Sequence, residues 1–228
     1  MTEPPRFSER RGRLFFRNAS IGRDLLRVHG SVAFCGRILP WLACRRYWLF
    51  TGPLPCDYPR AAAQVPLRIA PASEAEMEAV LCLRPHFYTP EMLRDRLEAG
   101  HVCFLAWEGS RLVHARWAFR GAVYLRYLDR TLLIPEDKVY YDETYTAPDR
   151  RHLGVDYATL ATMLAGFAKI GCREHAFLSP TWDGPLHRRA AAFGMRVSGS
   201  ISRRSVLDRR WLAEGGLRIL DEKRIELG

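Results

Sequence analysis

The sequence predicts a mixed α+β domain, in which helices flank a central mixed β-sheet, preceded by a basic helical N-terminal extension. Segments with the alternation of strands and segments with the period of helices interleave along residues 65–207. Some neighbouring strands are joined by short turns and others by helices, and this combination is typical of a mixed sheet. Residues 1–60 hold 11 of the 35 Lys and Arg residues but only 4 of the 25 Asp and Glu residues. The basic excess is therefore concentrated near the N-terminus.

The chain divides into three predicted parts, which are an extension with a linker (residues 1–64), a domain (residues 65–207) and a charged tail (residues 208–228). Between Ile21 and Val32, apolar residues recur at helical spacing with arginines on another face, which predicts an amphipathic basic helix. RRYWLF, residues 45–50, favours a short strand. Residues 53–66, rich in Pro and Ala, predict the linker.

The basic extension has three interpretations that the sequence leaves open. In residues 17–46, arginines lie beside Leu, Phe and Trp, a composition that suits an anionic membrane surface. Alternatively, the helix packs on the domain or on a second subunit of a homodimer, or its arginines form a solvated face. The first residues are polar and no hydrophobic signal core follows them. We therefore expect a cytoplasmic protein, held peripherally at the inner face of the membrane if the first interpretation is correct.

The six cysteines show no spacing that indicates a metal site. They form no CxxC pair and no Cys/His cluster with zinc spacing. We expect buried, reduced thiols and no bound metal.

The first half of the domain begins with a strand and two helices. PLRIA, residues 66–70, predicts a short strand. Ser73 and Glu76 form a capping-box pattern that predicts the start of a helix. Thr89 predicts the N-cap of a second helix, which Gly100 ends.

Strands follow. Residues 101–107 and 111–119 predict a β-hairpin that turns across residues 108–110, Glu-Gly-Ser. Residues 123–134 are apolar and fit either a strand or a helix. VYYDETYT, residues 139–146, has the β-branched and aromatic composition of a strand, with period-2 alternation.

The second half alternates helices and strands. Residues 157–171 predict a helix, residues 172–179 a strand and residues 196–207 a final strand. Between these strands, residues 183–194 predict a short helix capped by Asp183.

The turn APDRRHLGVDYA, residues 147–158, joins the strongest strand to a helix. A helix N-terminus presents unpaired N–H groups and partial positive charge. Gly154 gives an anion close access to them, Arg150 and Arg151 add charge, and Pro148 fixes the chain as it leaves the strand. The turn therefore predicts a phosphate or pyrophosphate site. It is neither a Walker A loop nor a dinucleotide fingerprint, because the other glycines and the Gly-Lys-Ser/Thr sequence are missing.

These residues resemble the acetyl-CoA loop of the GNAT N-acetyltransferases, which reads Arg/Gln-x-x-Gly-x-Gly/Ala after a strand and a proline. Phe193-Gly194-Met195, which ends the unit that Asp183 begins, resembles a second family motif. The order of strands and helices is similar to that of the family over residues 65–207. The specific sequence motifs lie within residues 139–195. It implies an acetyl-CoA donor whose pyrophosphate is held by the N–H groups of residues 152–157. The implied donor contacts are Tyr145, Thr146, Arg151, His152, Leu153, Gly154, Val155, Asp156, Tyr157 and Asp183.

The chain departs from the family pattern at two positions. Asp156 stands at the second small residue of the loop, where a carboxylate repels pyrophosphate unless it points away or pairs with Arg150. Ala190 stands where the family often has the tyrosine that protonates the departing thiolate. Since His187 precedes Ala190 by three residues on the same helix face, it is a candidate replacement acid. The alternative for His187 is a partly exposed histidine without a catalytic role.

The resemblance also implies a general base, Glu143, on the strand before the loop. On an alternating strand, Glu143 shares a face with Tyr141 and Tyr145, and such aromatic surroundings are expected to raise its pKa. The alternative is a glutamate on the solvent side, paired with an arginine. Asp142 is expected to face the opposite way.

Three functions are compatible with the sequence. The resemblance favours transfer of an acetyl group from acetyl-CoA to an amine of a small molecule or amino sugar. A second possibility within the same fold is transfer of longer acyl groups, from acyl-CoA or an acyl carrier protein, by a membrane-associated enzyme. The third is a non-catalytic basic module that binds nucleic acid, although no RNA-binding signature supports it.

Overall fold

The computed structural model describes residues 45–54, 63–84, 87–203 and 211–228. Within this range, residues 46–202 and 211–228 form one compact unit. The predicted helix between Ile21 and Val32 and most of the predicted linker lie outside the described residues.

Two sheets form the framework of the unit. Its strands are β1 Arg46–Pro53, β2 Arg68–Pro71, β3 Val102–Glu108, β4 Arg111–Phe119, β5 Gly121–Leu125, β6 Arg130–Ile134, β7 Lys138–Thr146, β8 Glu174–Pro180, β9 Arg196–Arg203, β10 Trp211–Gly215, β11 Leu217–Ile219 and β12 Arg224–Leu227. The main sheet has the order β10-β9-β1-β8-β7-β4-β3-β2, and the small sheet has the order β11-β12-β6-β5. Because β7 pairs with β8 in parallel while β4 pairs with β7 antiparallel, the main sheet is mixed, as predicted.

Four α-helices accompany the sheets in the described residues, and the caps predicted at Ser73, Thr89 and Asp183 are confirmed. They are α1 Met77–Leu83, α2 Pro90–Glu98, α3 Val155–Lys169 and α4 Gly184–Ala192, with short 3-10 turns at Glu74–Glu76 and Pro148–Arg150. Ser73 and Glu76 form the predicted capping box. Thr89 accepts a hydrogen bond from the Met92 N–H at 3.3 Å, and Asp183 accepts one from the Leu186 N–H at 3.1 Å. These local contacts fix where the helices start.

The helices cover opposite faces of the main sheet. On one face, α3 and α4 pack against Tyr141, Phe177 and their buried apolar neighbours. On the other face, the guanidinium of Arg96 on α2 lies 4.9 Å from the centroid of Trp117 and 5.3 Å from that of Phe119. Among the described residues, no helix combines the length and apolarity needed to cross a bilayer.

Two segments take part in the sheets in ways that the sequence did not indicate. The predicted short strand at residues 45–50 is β1, which lies between β8 and β9 in the middle of the sheet rather than in a separate extension. The region predicted as a charged tail supplies β10, β11 and β12. The ambiguous residues 123–134 form a hairpin of β5 and β6. The places of β1 and β12 depend on pairing with strands distant in sequence, which a local pattern does not reveal.

Candidate functional site

The two parallel strands at the centre of the sheet separate after a short paired region. β7 and β8 pair only where residues 138–140 meet residues 174–176. Beyond this point β7 continues to Thr146 and β8 to Pro180 without pairing to each other. We call the resulting opening the split. Backbone groups that face the split require other partners, which an extended ligand bearing amide groups can supply.

A β-bulge bends β7 inside the split. Only Arg116 lies between the β4 residues that pair with Asp142 and Tyr145, whereas β7 has two residues there, Glu143 and Thr144. Glu143 has a φ of +52°. One extra residue on a strand bends it and increases its twist. The bulge therefore helps to explain why β7 turns away from β8.

The bulge also changes which residues share a face. Tyr141 lies on the face that carries α3 and α4, since it belongs to their core cluster and its hydroxyl donates at 3.3 Å to the sulfur of Met195, which follows α4. Glu143 pairs instead with Arg96 on the opposite face, so the predicted grouping of Glu143 with Tyr141 was wrong. The prediction that Asp142 and Glu143 face opposite ways was also wrong. The inserted residue interrupts the alternation on which both predictions relied.

The predicted anion-binding turn has the backbone geometry of an anion site. The N–H groups of residues 152–157, which we call the cradle, form no hydrogen bond with an acceptor in the described parts of the chain. His152 and Gly154 have left-handed φ values of +65° and +76°. Leu153 and Val155 pack against buried apolar residues, which anchors the cradle to the sheet. Successive free N–H groups at a helix N-terminus suit a phosphate or diphosphate.

The two arginines of the turn differ in their availability. The Arg150 Nε donates to Glu108 at 2.6 Å, and its Nη1 donates to Asp149 at 3.0 Å. Arg151 is exposed and forms no ion pair with any carboxylate in the described ranges. Arg151 is therefore the arginine whose charge remains free beside the cradle.

Pairing of Asp156 with Arg150 was one predicted way to relieve the repulsion between the Asp156 carboxylate and a pyrophosphate. Asp156 does not pair with Arg150. Its carboxylate accepts hydrogen bonds from Arg116 on β4 and from Arg189 on α4. The Thr144 hydroxyl donates to the same group at 3.1 Å. We call these residues, with His114 at 3.7 Å, the Asp156 clamp. Burial disfavours the ionised form, but the charges of the clamp outweigh it and hold the pKa of Asp156 well below its ordinary value.

His114 is the neutral member of the clamp. Burial lowers the pKa of His114 to about 4, and its Nδ1 lies 2.8 Å from the Thr146 hydroxyl. At neutral pH the clamp therefore holds one carboxylate and two guanidinium groups. The net positive charge of the clamp offsets the repulsion that the sequence analysis expected between Asp156 and a diphosphate.

Glu143 is the counter-ion of a buried arginine. Its Oε2 lies 2.7 Å from Nη1 of Arg96, and the two side chains are only 16% and 10% exposed. The alternative prediction for Glu143 was a glutamate on the solvent side, paired with an arginine. The arginine partner is confirmed, but the pair lies inside the protein. Sequence reasoning missed Arg96, although its spacing of three residues from Leu93 on α2 placed it on the buried face.

Asp142 lies in a polar network of tyrosines on the same face as Glu143. Its Oδ1 accepts from the Glu143 N–H at 2.7 Å, and its Oδ2 lies 3.5 Å from the Tyr140 hydroxyl. The Tyr140 hydroxyl is 2.8 Å from that of Tyr127, whose ring lies 5.0 Å from Tyr47. Burial, together with the charge of Glu143, raises the pKa of Asp142 to about 6.

His187 lies on the other face of the sheet. Its Nε2 is 3.2 Å from the Ser179 hydroxyl and 3.1 Å from the Pro180 carbonyl oxygen. Its ring packs against Trp48 and Phe50, and burial lowers its pKa. The side chain is therefore held by packing against β1 and the end of β8, and its role as an acid remains a prediction.

The other predicted donor-contact residues lie on β7, on α3 and at the start of α4. Tyr145 and Thr146 lie on β7 between the bulge and the cradle. Tyr157 on α3 packs against Phe193, with the Arg189 guanidinium 4.9 Å from its ring centroid. Asp183 lies at the start of α4.

A surface groove of about 720 Å³ adjoins Tyr145 on the face away from α3. The groove lies between α1 and the β3–β4 hairpin, and its lining includes Glu76, Glu78, Cys82, Trp107, Arg111 and Tyr145. It combines aromatic walls with charged groups, which is a suitable surface for a polar organic molecule.

The described residues offer no metal centre. No three His, Cys, Asp or Glu side chains in these ranges are placed to hold a metal ion. Cys103 and Cys172 are buried free thiols, whereas Cys82 is an exposed one. Cys35, Cys44 and Cys56 lie outside the described residues.

Comparison with known proteins gives similarity of structure but not of sequence. No protein-family model matches the chain, and no curated protein matches it. The chain is similar to the structure of a protein assigned to the GNAT acetyltransferase family from Novosphingobium aromaticivorans, with a TM-score of 0.50 and 14% identity. That match covers 70% of this chain and 62% of the other, which is less than two thirds of the bacterial protein.

Two further acetyltransferase structures match a smaller share of this chain. One is from Trypanosoma brucei, with a TM-score of 0.40, 17% identity and coverage of 54% of this chain and 90% of that one. The other is an aminoglycoside antibiotic 6'-N-acetyltransferase from Acinetobacter baumannii, with a TM-score of 0.42, 15% identity and coverage of 57% and 90%. The predicted GNAT-like fold, a mixed sheet flanked by helices, is confirmed by the Novosphingobium match.

Proposed function

We propose that this protein is an acyl-CoA-dependent N-acyltransferase that moves an acetyl group from acetyl-CoA to an amine of a small molecule or amino sugar. The observation that carries the proposal is the cradle at the end of β7, directly beside the split between β7 and β8. Few ligands combine a diphosphate with an adjoining extended arm that bears amide groups. Acyl-CoA contains both of these parts.

The residues of the cradle and the split suit such a donor. The N–H groups of residues 152–157 would hold the diphosphate, with Arg151 adding charge. The backbone of Tyr145 and Thr146 would meet the amide-bearing arm, while Tyr157 and Asp183 would lie beside it. The Asp156 clamp joins the cradle to β4 and α4, and its net positive charge would favour the phosphates. The donor, when bound, supplies the activated acyl group.

The acceptor amine would approach from the face that carries the groove. The groove adjoins Tyr145, and Glu76 and Glu78 line part of it. These carboxylates favour an acceptor with positive charge. Before an ammonium group can attack, it must lose a proton, and the two carboxylates at the bulge, Asp142 and Glu143, are the candidates to take it. His187 is the candidate acid for the thiolate.

The donor is tested by measuring thermal stability against acetyl-CoA, palmitoyl-CoA, free CoA and ADP. A ligand that binds only the folded state at a hundredfold excess over its Kd stabilises by about 2.7 kcal/mol, or roughly 5–10 °C in Tm. We expect this rise with acetyl-CoA and CoA. A larger rise with palmitoyl-CoA would instead favour the longer-chain transferase.

Gly154→Val should remove the effect of acetyl-CoA on Tm. Gly154 has a φ of +76°, which a β-branched residue rarely adopts, so the variant distorts the cradle. Gly100→Val is the matched control, because Gly100 has a φ of +75° and ends α2, outside the cradle. If acetyl-CoA, CoA and palmitoyl-CoA all leave the wild-type Tm unchanged, the acyltransferase proposal fails.

A further inference from the structure

We propose that Asp142 accepts the proton of the acceptor amine, and that Glu143 is a positioning residue that holds Arg96. The inference rests on the acyltransferase function proposed above. It reverses the roles that the sequence favoured for these two neighbours.

Glu143 is poorly placed to take a proton. Its carboxylate neutralises the guanidinium of Arg96, which is 10% exposed and lies against Trp117 and Phe119. Protonation of Glu143 would leave this buried positive charge without its partner, and such uncompensated charges are strongly unfavourable. The Glu143 carboxylate is therefore already engaged by its ion pair with Arg96.

Asp142 occupies the position that the chemistry requires. It lies two residues beyond Tyr140, the last β7 residue paired with β8, so this residue is at the start of the split and its carboxyl group lies beside the Tyr140 hydroxyl. It is on the face that carries α2, from which the amine would approach. Its hydrogen bond to the Glu143 N–H fixes its position at the bulge.

The surroundings of Asp142 also give it a suitable proton affinity. The charged and titratable groups that face it are Glu143 on β7, Arg96 on α2, Tyr140 on β7 and Tyr127 from the β5–β6 turn. Burial and the charge of Glu143 raise the pKa of Asp142 to about 6, against the opposing hydrogen bond from Tyr127 and the charge of Arg96. A carboxylate with a pKa just below neutral is ionised at pH 7 and still basic enough to accept a proton.

The proposed step is a single proton transfer. One N–H bond of the ammonium group breaks, an O–H bond forms on Asp142, and the electron pair stays on nitrogen. The nitrogen is then neutral and nucleophilic. Asp142 returns its proton to solvent, which is favourable above its pKa.

The first test follows the aspartate side-chain carboxyl carbons of the full-length protein by ¹³C NMR from pH 3 to 8, without any acceptor. The Asp142 signal is assigned by its loss in Asp142→Asn. We expect a midpoint of about 6 in the wild type. Tyr127→Phe removes the hydroxyl that contacts Tyr140 and helps to stabilise the ionised form of Asp142, so it should move the midpoint up. Glu143→Gln removes a negative charge and should move it down.

The second test measures release of free CoA thiol with acetyl-CoA as donor and glucosamine as the amine probe. Asp142→Asn should lower the rate at pH 7 by roughly 10²-fold or more and abolish the acid limb of the pH profile. Tyr127→Phe should shift this limb to higher pH and Glu143→Gln to lower pH, while both retain it. Asp221→Asn, in an exposed ion pair with Arg224, is the matched control and should leave the profile unchanged.

The outcomes separate this inference from the function on which it rests. An Asp142 midpoint near the ordinary aspartate value, or a Glu143→Gln variant that loses the acid limb while Asp142→Asn keeps it, overturns the inference and returns the role to Glu143. If glucosamine is not acetylated, the NMR midpoint alone decides. A wild-type protein that binds no acyl-CoA removes the proposed function and this inference together, whatever Asp142 does.

Discussion

Replacing Asp156 with alanine should lower the free energy of unfolding by about 3–5 kcal/mol at pH 7. The Asp156 carboxylate is the shared partner of Arg116 and Arg189. Arg189 is 38% exposed and can turn towards water, but Arg116 is only 6% exposed. The variant therefore leaves a buried guanidinium without a counter-charge. For a domain of this size, the change corresponds to a fall in Tm of roughly 6–20 °C.

The loss is measured by urea denaturation, with Asp149→Ala as the matched control. Asp149 also contacts two arginines, Arg111 and Arg150, but its side chain is 49% exposed. Exposed ion pairs contribute about 1 kcal/mol or less, so the control should be nearly neutral. Equal effects from the two replacements would show that the Asp156 clamp does not stabilise the fold.

Acidification should destabilise the protein through His175. This histidine is fully buried, and neither of its ring nitrogens has a hydrogen-bond partner among the described residues. Burial lowers the pKa of His175 to about 4, below the ordinary value of about 6.5 expected after unfolding. Between these two pH values the unfolded chain binds more protons than the folded one. The stabilising effect of neutral His175 is thus complete above pH 6.5 and is lost as the pH falls towards 4.

The contribution of His175 is isolated by comparing the wild type with His175→Leu at pH 7 and pH 4.5. The two pKa values predict that the wild type loses about 2.5 kcal/mol relative to the variant over this interval. The comparison is needed because Asp142, whose pKa is raised, acts in the opposite direction on acidification. His152→Asn is the matched control, since His152 is exposed and asparagine tolerates its φ of +65°. If His175→Leu does not reduce the pH dependence, His175 is not the buried group that titrates.

Much of the local structure followed from the sequence because its causes lie within a few residues of each other. Ser73 and Glu76 are three positions apart, and the hydrogen bonds that define their capping box join them directly. Asp183 likewise caps α4 through the N–H of Leu186. The cradle depends on the short stretch around Gly154, whose left-handed backbone follows β7 immediately. In the described residues, the sequence therefore determined the caps, the helices, the hairpin at residues 108–110 and the turn that forms the cradle.

The functional roles of individual side chains depended on the tertiary structure. Asp156 is 40 residues from Arg116 and 33 from Arg189, and Glu143 is 47 residues from Arg96. The bulge that places Asp142 and Glu143 on one face arises from the register between β4 and β7, and β1 takes its place in the sheet by pairing with β8 and β9. The spacing of residues along the chain carries no information about such partners. The sequence around a charged residue is the same whether its side chain contacts solvent or a buried arginine. The sequence thus determined where the chain turns, whereas only the packed sheet decided that Glu143 pairs with Arg96 and that Asp142 lies beside the tyrosines.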